Sequence, residues 1–121
     1  MEGLAKFGRS LFTAAIGVIY VLRLERNARF HLIIAVLVLI LSIAVGLSNA
    51  QLAAIFFAII LVFTAEIVNT SLEKTLDLIH PKPDDQVRII KDMAAGAVLV
   101  TALGAAAIGI AVFYPYIVKW L

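Results

Sequence analysis

The sequence of 121 residues contains no cysteine, three prolines and few charged side chains. The absence of cysteine excludes disulfide bonds and metal sites built from thiolates. Neither G-x-x-x-x-G-K-[ST] nor G-x-G-x-x-G occurs, which excludes the glycine-rich phosphate loops of soluble nucleotide-binding folds. Charged residues make up 15% of the chain, and residues 30–65 and 93–118 carry none. The charges are therefore concentrated in a few places.

Hydrophobic residues make up 64% of the chain, and its mean hydropathy is +1.09. Soluble domains are only about half apolar, so the composition predicts an integral membrane protein. The length fits a single domain over residues 1–121. The formal net charge is +2, but the basic residues lie beside hydrophobic runs, where a membrane protein needs them for its topology. We therefore expect no binding to nucleic acid.

The three long hydrophobic runs are predicted to be membrane-spanning helices, over about residues 31–48, 51–79 and 86–119. Before them, an amphipathic segment over about residues 5–27 contains an apolar stretch of 12 residues, from Leu11 to Leu22. Because about 30 Å of hydrocarbon requires close to 20 residues, this segment is predicted to be a surface helix. The expected fold is an all-α membrane protein with three transmembrane helices per protomer and an N-terminal amphipathic surface helix.

Lysine and arginine predict the orientation of these segments. Five of them precede the first span, none lies in the turn that follows it, and four surround the linker between the second and third spans. The positive-inside rule therefore places the N-terminus and this linker, Ile79 to Asp85, in the cytoplasm.

A ridge of small side chains follows one face of the third span. Ala97, Thr101, Ala105 and Gly109 are spaced four residues apart, which allows close contact between helices in lipid. Three spans make a thin bundle that would bury carboxylates poorly, so we expect the chain to self-associate.

The end of the second span carries the most informative pattern. Glu66, Asn69, Glu73 and Asp77 follow one another at spacings of three, four and four residues. On a helix they form a polar stripe about 80° wide and about 16 Å long. Ionised carboxylates near a bilayer core are costly, so the stripe predicts a functional site that binds a polar group. The charge pattern places it at the cytoplasmic end of the span.

Together with this stripe, Glu25 and Asp92 offer hard oxygen ligands, which suit magnesium rather than zinc. Lys6, Arg29 and Lys91 could pair with the negative charges of a polyphosphate. Such a set would suffice for phosphoryl transfer to a lipid head group. Spacing alone leaves a lipid kinase and a small proton-coupled multidrug exporter as alternatives. The exporter would need a fourth span and one carboxylate near mid-membrane, and a purely structural protein would not need clustered charges.

Two segments together resemble a known family. EIVNTSLE, residues 66–73, is followed by KDMAAGAVL, residues 91–99. They match the motifs E-x-x-N-[ST]-x-x-E and K-D-x-x-[AS]-[AG]-A-V of the prokaryotic diacylglycerol kinase family, which the chain resembles over nearly its whole length. A further segment, ERNARFHL over residues 25–32, is similar to the branch of the family that phosphorylates undecaprenol. His31, interpreted as an interfacial residue rather than a ligand, stands where the diacylglycerol branch carries an acidic residue.

The resemblance implies a homotrimer in the bacterial cytoplasmic (inner) membrane, with composite active sites at subunit boundaries on the cytoplasmic side. It also implies ATP and Mg²⁺ as cofactors and a membrane lipid as substrate. Glu73 would be the catalytic base, Glu66 would orient the acceptor, and Glu25 with Glu73 would hold Mg²⁺. The residues implied to position the nucleotide phosphates are Lys6, Asn69, Asp77, Lys91 and Asp92.

The residues and the resemblance together predict an ATP-dependent lipid kinase. It would transfer the γ-phosphate to a lipid hydroxyl at the cytoplasmic membrane interface, with undecaprenol as the preferred acceptor and diacylglycerol as the close competitor. The alternative is the small proton-coupled multidrug exporter.

Overall fold

The computed structural model describes all residues, Met1–Leu121, and contains four α-helices and no strand. The helices are α1, Glu2–Leu24; α2, Arg26–Val45; α3, Asn49–Ile79; and α4, Asp85–Trp120. The prediction of an all-α fold is confirmed. Helices α3 and α4 form the largest helix–helix contact, and α2 packs against α3. Helix α1 contacts the rest of the chain near its C-terminal end, where Val21 is its only buried residue.

All four helices are long and apolar enough to cross a membrane, although α1 is the least apolar of them. The chain is thus a multi-pass membrane protein. The prediction of a surface helix rests on the apolar stretch from Leu11 to Leu22, which is too short to span by itself. The helix in fact begins at Glu2 and has 23 residues, which corresponds to about 35 Å. Its length therefore does not decide whether α1 crosses the membrane or lies on its surface.

The boundary between α1 and α2 differs from the prediction. Helix α1 ends at Leu24 rather than at 27, and α2 begins at Arg26 rather than at 31. Between them, Glu25 has an extended backbone conformation, with φ −111° and ψ 120°. No proline or glycine marks this break, which is why sequence patterns did not reveal it. Glu25 is thereby held at an elbow between two helices.

The other helix ends lie closer to the predicted positions. Helix α2 ends at Val45, before the predicted 48, because Gly46 takes the left-handed conformation with φ 76° that terminates a helix. Helix α3 begins at Asn49 rather than 51, where Ser48 and Gln51 form a reciprocal capping box. Helix α4 begins and ends within one residue of the predicted 86–119.

The start of α4 is fixed by Asp84 in the linker. Its carboxylate accepts hydrogen bonds from the backbone N–H groups of Val87, at 3.1 Å, and Gln86, at 2.8 Å. These bonds, chiefly the one from Val87, hold the pKa of Asp84 below its ordinary value. Because the pKa of Asp84 is lower in the folded state, its ionised carboxylate stabilises the helix start at pH values above the ordinary pKa. That contribution is lost as the pH falls through the lowered value.

The apolar interior is small and open. Leu47, Ile55 and Phe113 form a buried cluster at the end of the bundle that contains the α2–α3 turn. Next to it, a cavity of about 440 Å³ lies between α2, α3 and α4, with Ala105 and Gly109 among its lining residues. Two members of the predicted ridge of small residues thus line a space inside the chain. Self-association stays a prediction.

The same end of the bundle is closed by a hydrogen bond between α3 and α4. The Tyr116 hydroxyl donates to Gln51 Oε1 at 2.7 Å, and the same oxygen accepts from the backbone N–H of Ser48 at 3.0 Å. Gln51 therefore both completes the cap of α3 and ties that helix to α4.

We expect Tyr116→Phe to lower the free energy of unfolding by about 0.5–1.5 kcal/mol, because it removes one partly buried hydrogen bond. Unfolding can be followed by titration with SDS in mixed micelles, through the fluorescence of Trp120, the only tryptophan. Tyr114→Phe is the matched control, because the Tyr114 ring is exposed and its hydroxyl makes no hydrogen bond. Equal stability of the two variants would contradict the role assigned to Tyr116.

Candidate functional site

The polar residues of the stripe meet the α1–α2 elbow at one end of the bundle. Glu66 on α3 is buried, with 3% of its surface exposed. Glu25 from the elbow, His31 from α2 and Glu73 from the next turns of α3 all lie within Coulombic range of its carboxylate. The elbow and two helices thus contribute ionisable groups to one cluster, which we call the acidic cluster: Glu25, His31, Glu66 and Glu73.

His31, which the sequence predicts to be an interfacial residue rather than a ligand, is a member of this cluster. Its ring is partly buried and packs edge-on against Phe30, with ring centroids 6.2 Å apart. His31 also lines the apolar cavity between α2, α3 and α4. It therefore stands where the acidic cluster meets the hydrophobic interior. The sequence contains one indication of this position: His31 is the first polar residue of an otherwise apolar predicted span.

Most carboxylates at this end of the molecule have a cationic partner. Asp77 on α3 accepts a hydrogen bond from the Lys91 ammonium on α4, with an oxygen–nitrogen distance of 2.5 Å. The carboxylate of Asp92 lies 3.6 Å from Arg88, one turn earlier on the same helix. Glu25 lies 3.8 Å from the ammonium of Lys74. Residues at the ends of α3 and α4 are thereby held together across the linker.

Glu73 differs from these carboxylates because no lysine, arginine or histidine lies within 4.0 Å of it. Glu66 also has no ion pair, but it is buried, whereas Glu73 is only partly buried. Glu73 is therefore the member of the stripe that combines access with a carboxylate free of any salt bridge. A carboxylate in that state can accept a proton from a hydroxyl group placed beside it.

Two oxygen atoms beside the acidic cluster lack hydrogen-bond partners. They are Asn69 Oδ1 and Thr70 Oγ1, both buried on α3. Buried polar atoms are nearly always hydrogen-bonded in native structures, so unpaired ones commonly mark a place where a ligand or ion binds. Asn69 was predicted to be part of the site, whereas Thr70 was not singled out. Its position four residues after Glu66 and three before Glu73 could have indicated it.

The donor set fits Mg²⁺ held jointly with a nucleotide. No group of three or more Asp, Glu, His or Cys side chains is arranged to hold a metal ion by itself. Mg²⁺ commonly uses one or two carboxylates together with substrate phosphates, and it requires hard oxygen ligands. Glu25, Glu73 and the unpaired Asn69 Oδ1 are ligands of that kind.

Lys6 is the predicted site residue that the fold of one chain does not join to the cluster. It lies on the exposed N-terminal part of α1 and makes no ion pair with any carboxylate. The first 15 residues of the chain are all exposed, and α1 packs only through its C-terminal end.

Arg29 has a structural role at the α1–α2 elbow, and its contact with a polyphosphate stays a prediction. One nitrogen of its guanidinium donates to the backbone carbonyl oxygens of Leu22, at 3.0 Å, and Arg23, at 2.9 Å. The last carbonyls of a helix have no partner within the helix, and a cation at that end also interacts favourably with the helix dipole. Arg29 thus stabilises the elbow that presents Glu25.

These features define a class: a multi-pass helical membrane protein with a polar, carboxylate-rich site at one end of its bundle. Comparison with known proteins gives the family. The sequence profile of the prokaryotic diacylglycerol kinase family matches residues 12–113. The chain therefore belongs to the prokaryotic diacylglycerol kinase family, and it is a lipid kinase. The resemblance found in the sequence is confirmed, and the exporter is not favoured.

Two relatives illustrate this membership. The chain is 39% identical over 112 residues to the undecaprenol kinase of Bacillus subtilis, covering 93% of this chain and 91% of that protein. It is 33% identical over 100 residues to the diacylglycerol kinase of Synechocystis, covering 82% of this chain and 57% of that protein. No solved structure matches the chain.

We expect Arg29→Met to loosen the elbow around Glu25. Removing the guanidinium leaves the carbonyl oxygens of Leu22 and Arg23 without its hydrogen bonds. At this exposed position the loss of local stability should amount to about 1 kcal/mol, which corresponds to about fivefold faster amide exchange. Hydrogen–deuterium exchange of peptides covering residues 20–30 measures this effect. Arg26→Met is the control, because Arg26 is exposed and makes neither an ion pair nor a side-chain hydrogen bond. Equal exchange in the two variants would show that Arg29 does not hold the elbow.

Proposed function

We propose that this lipid kinase transfers the γ-phosphate of ATP to the hydroxyl group of a membrane lipid, with undecaprenol preferred over diacylglycerol. The observation that carries the proposal is the unpaired carboxylate of Glu73, beside buried Glu66, at the polar end of an apolar bundle. The similarity to the Bacillus subtilis undecaprenol kinase, which extends over nearly all of both chains, supports undecaprenol.

Glu73 is the proposed catalytic base. Its carboxylate takes the proton from the lipid hydroxyl as the hydroxyl oxygen forms a bond to the γ-phosphorus. The bond from that phosphorus to the β–γ bridging oxygen breaks, and ADP leaves. Glu66, buried one turn before the Asn69 amide, orients the acceptor hydroxyl toward Glu73. Positioned proton transfer of this kind contributes about 10²–10⁴ to a rate.

The nucleotide is proposed to lie along the stripe between α3 and α4. Lys91 offers an ammonium to the phosphates, while Asp77 fixes that ammonium through their hydrogen bond. Asn69 and Asp92 complete the phosphate and metal contacts. Glu25 and one oxygen of Glu73 would hold Mg²⁺, which, when bound, neutralises charge on the phosphates during transfer.

The orientation proposed for α1 is on the cytoplasmic surface of the inner membrane, with three spans following it. If α1 crossed the bilayer, Lys6 and Arg9 would lie on the opposite side from the elbow and the linker. That arrangement conflicts with the positive-inside rule and would separate Lys6 from the phosphates by the thickness of the membrane. A surface position keeps all the proposed site residues on one side.

A homotrimer with composite sites is proposed because it would also bring Lys6 to a site. The N-terminal part of α1 is exposed and makes no contact that joins Lys6 to the acidic cluster of its own chain. Lying across a neighbouring protomer would bring Lys6 to a site and would cover apolar side chains such as Phe7, Leu11 and Phe12, which are exposed in the single chain.

We expect the purified protein in mixed micelles, supplied with Mg²⁺ and ATP labelled in the γ-phosphate, to phosphorylate undecaprenol faster than diacylglycerol. The measurement is labelled phosphate recovered in each lipid when both are offered separately at equal mole fraction. Faster transfer to diacylglycerol would overturn the acceptor proposed here. No transfer to either lipid, by protein shown to be folded, would overturn the proposed function itself.

A further inference from the structure

We propose that Lys74 is a further positioning residue, which holds Glu25 in the nucleotide-free enzyme and releases it to Mg²⁺ when the nucleotide binds. This inference rests on the proposed function, in which Glu25 is a ligand of that ion. Lys74 is not among the residues assigned to the site by its sequence motifs, and it follows directly after Glu73.

The geometry that carries the inference is the contact between the elbow and α3. Lys74 Nζ lies 3.8 Å from Glu25 Oε1, and the two side chains are 52% and 24% exposed. Glu25 is the single extended residue between α1 and α2, so its carboxylate is directed by its contacts rather than by a helix. Lys74 is the one cation within 4.0 Å of it. Lys74 therefore orients the Glu25 carboxylate toward α3.

This contact differs from the other lysine–carboxylate pair of the site. Lys91 is less exposed than Lys74, 32% against 52%, and its contact with Asp77 is a hydrogen bond between two helices. The Lys74 contact is longer, and its ammonium is the more exposed of the two, although the Asp77 carboxylate is more exposed than that of Glu25. A long ion pair with an exposed lysine contributes little to stability. The Lys91 pair therefore stays formed when the nucleotide binds, whereas Mg²⁺ can replace Lys74 at Glu25 at little cost in free energy.

The exchange itself follows from charge and ligand chemistry. An ammonium and Mg²⁺ compete for the same carboxylate oxygen, and the divalent ion binds oxygen at about 2.0–2.1 Å, closer than an ammonium can approach. The phosphates of a nucleotide supply the remaining ligands of the ion, which favours displacement of Lys74. The released ammonium, with three donors on a flexible stem, is then free to bind a phosphate oxygen. No covalent bond changes in this step.

Removal of the competing ammonium should therefore have opposite effects on metal and on nucleotide. We expect Lys74→Met to bind Mn²⁺ alone about two- to fivefold more tightly than the unmodified protein, the range that corresponds to an exposed pair. The same variant should bind a non-hydrolysable ATP analogue, at saturating Mn²⁺, about two- to fivefold more weakly. Free Mn²⁺ is measured by electron paramagnetic resonance, and nucleotide binding by calorimetry, on the protein in lipid nanodiscs.

Lys82→Met controls for the general loss of one positive charge. Lys82 is an exposed lysine of the linker at the same end of the bundle, and its side chain makes no ion pair. Lys74→Arg keeps the charge and should retain the metal affinity of the unmodified protein. Unchanged or weaker Mn²⁺ binding by Lys74→Met, or an equal gain in Lys82→Met, would overturn the inference.

Glu25→Gln separates this inference from the proposed function on which it rests. In that background, Lys74→Met should no longer change Mn²⁺ affinity, because the carboxylate for which the ammonium competes is gone. A persistent gain would overturn the exchange at Glu25. If the unmodified protein phosphorylates lipid but Lys74→Met leaves Mn²⁺ binding unchanged, the inference fails and the kinase assignment stands. Absence of lipid phosphorylation would overturn the proposed function instead.

Discussion

The electrostatic cost of ionised carboxylates beside hydrocarbon is the constraint on which the rest of this structure depends. A carboxylate held near a bilayer core needs a cation, a hydrogen bond or a bound ion. At one end of the bundle Asp77 and Glu25 meet this requirement, because Asp77 is bonded to Lys91 and Glu25 lies beside Lys74. The same contacts tie α3 to α4 and the α1–α2 elbow to α3. The polar contacts that join the helices at this end also involve residues of the candidate site. Glu73, which has no such partner, is left available for chemistry.

The division between paired and unpaired carboxylates explains how a thin, apolar bundle can carry out phosphoryl transfer without a glycine-rich loop. Asp77 and Lys91 are held by a short contact between helices, whereas Glu73, the proposed base, is unpaired and Glu25, a proposed metal ligand, is loosely paired. Unpaired oxygens at Asn69 and Thr70 add hard ligands at the same level of α3. The apolar cavity that begins at His31 adjoins this region, so the polar and hydrophobic parts of a lipid could both find suitable surroundings at the junction.

Much of the fold, and the polar stripe on α3, followed from periodicity. Hydrophobic runs marked α2, α3 and α4, and the spacing of Glu66, Asn69 and Glu73 showed that they share one face of a helix. The elbow at Glu25 did not follow, because it contains no proline or glycine and is held by Arg29 through contacts with carbonyl oxygens. The pairing of Lys74 with Glu25 was also beyond sequence analysis, since it depends on how the elbow packs against α3. Patterns along a helix predict which residues share a face, but not which neighbour they contact.

The central claim is that Glu73 acts as the base because it is the accessible carboxylate of the stripe without a cation. The most direct test is the rate of lipid phosphorylation by Glu73→Gln under saturating Mg²⁺ and ATP, with Glu2→Gln, an exposed glutamate at the start of α1, as the matched control. We predict that kcat falls by about 10²–10⁴ in Glu73→Gln, while Glu2→Gln and the helical content of both variants remain unchanged. A folded Glu73→Gln protein with near-normal kcat would contradict the account.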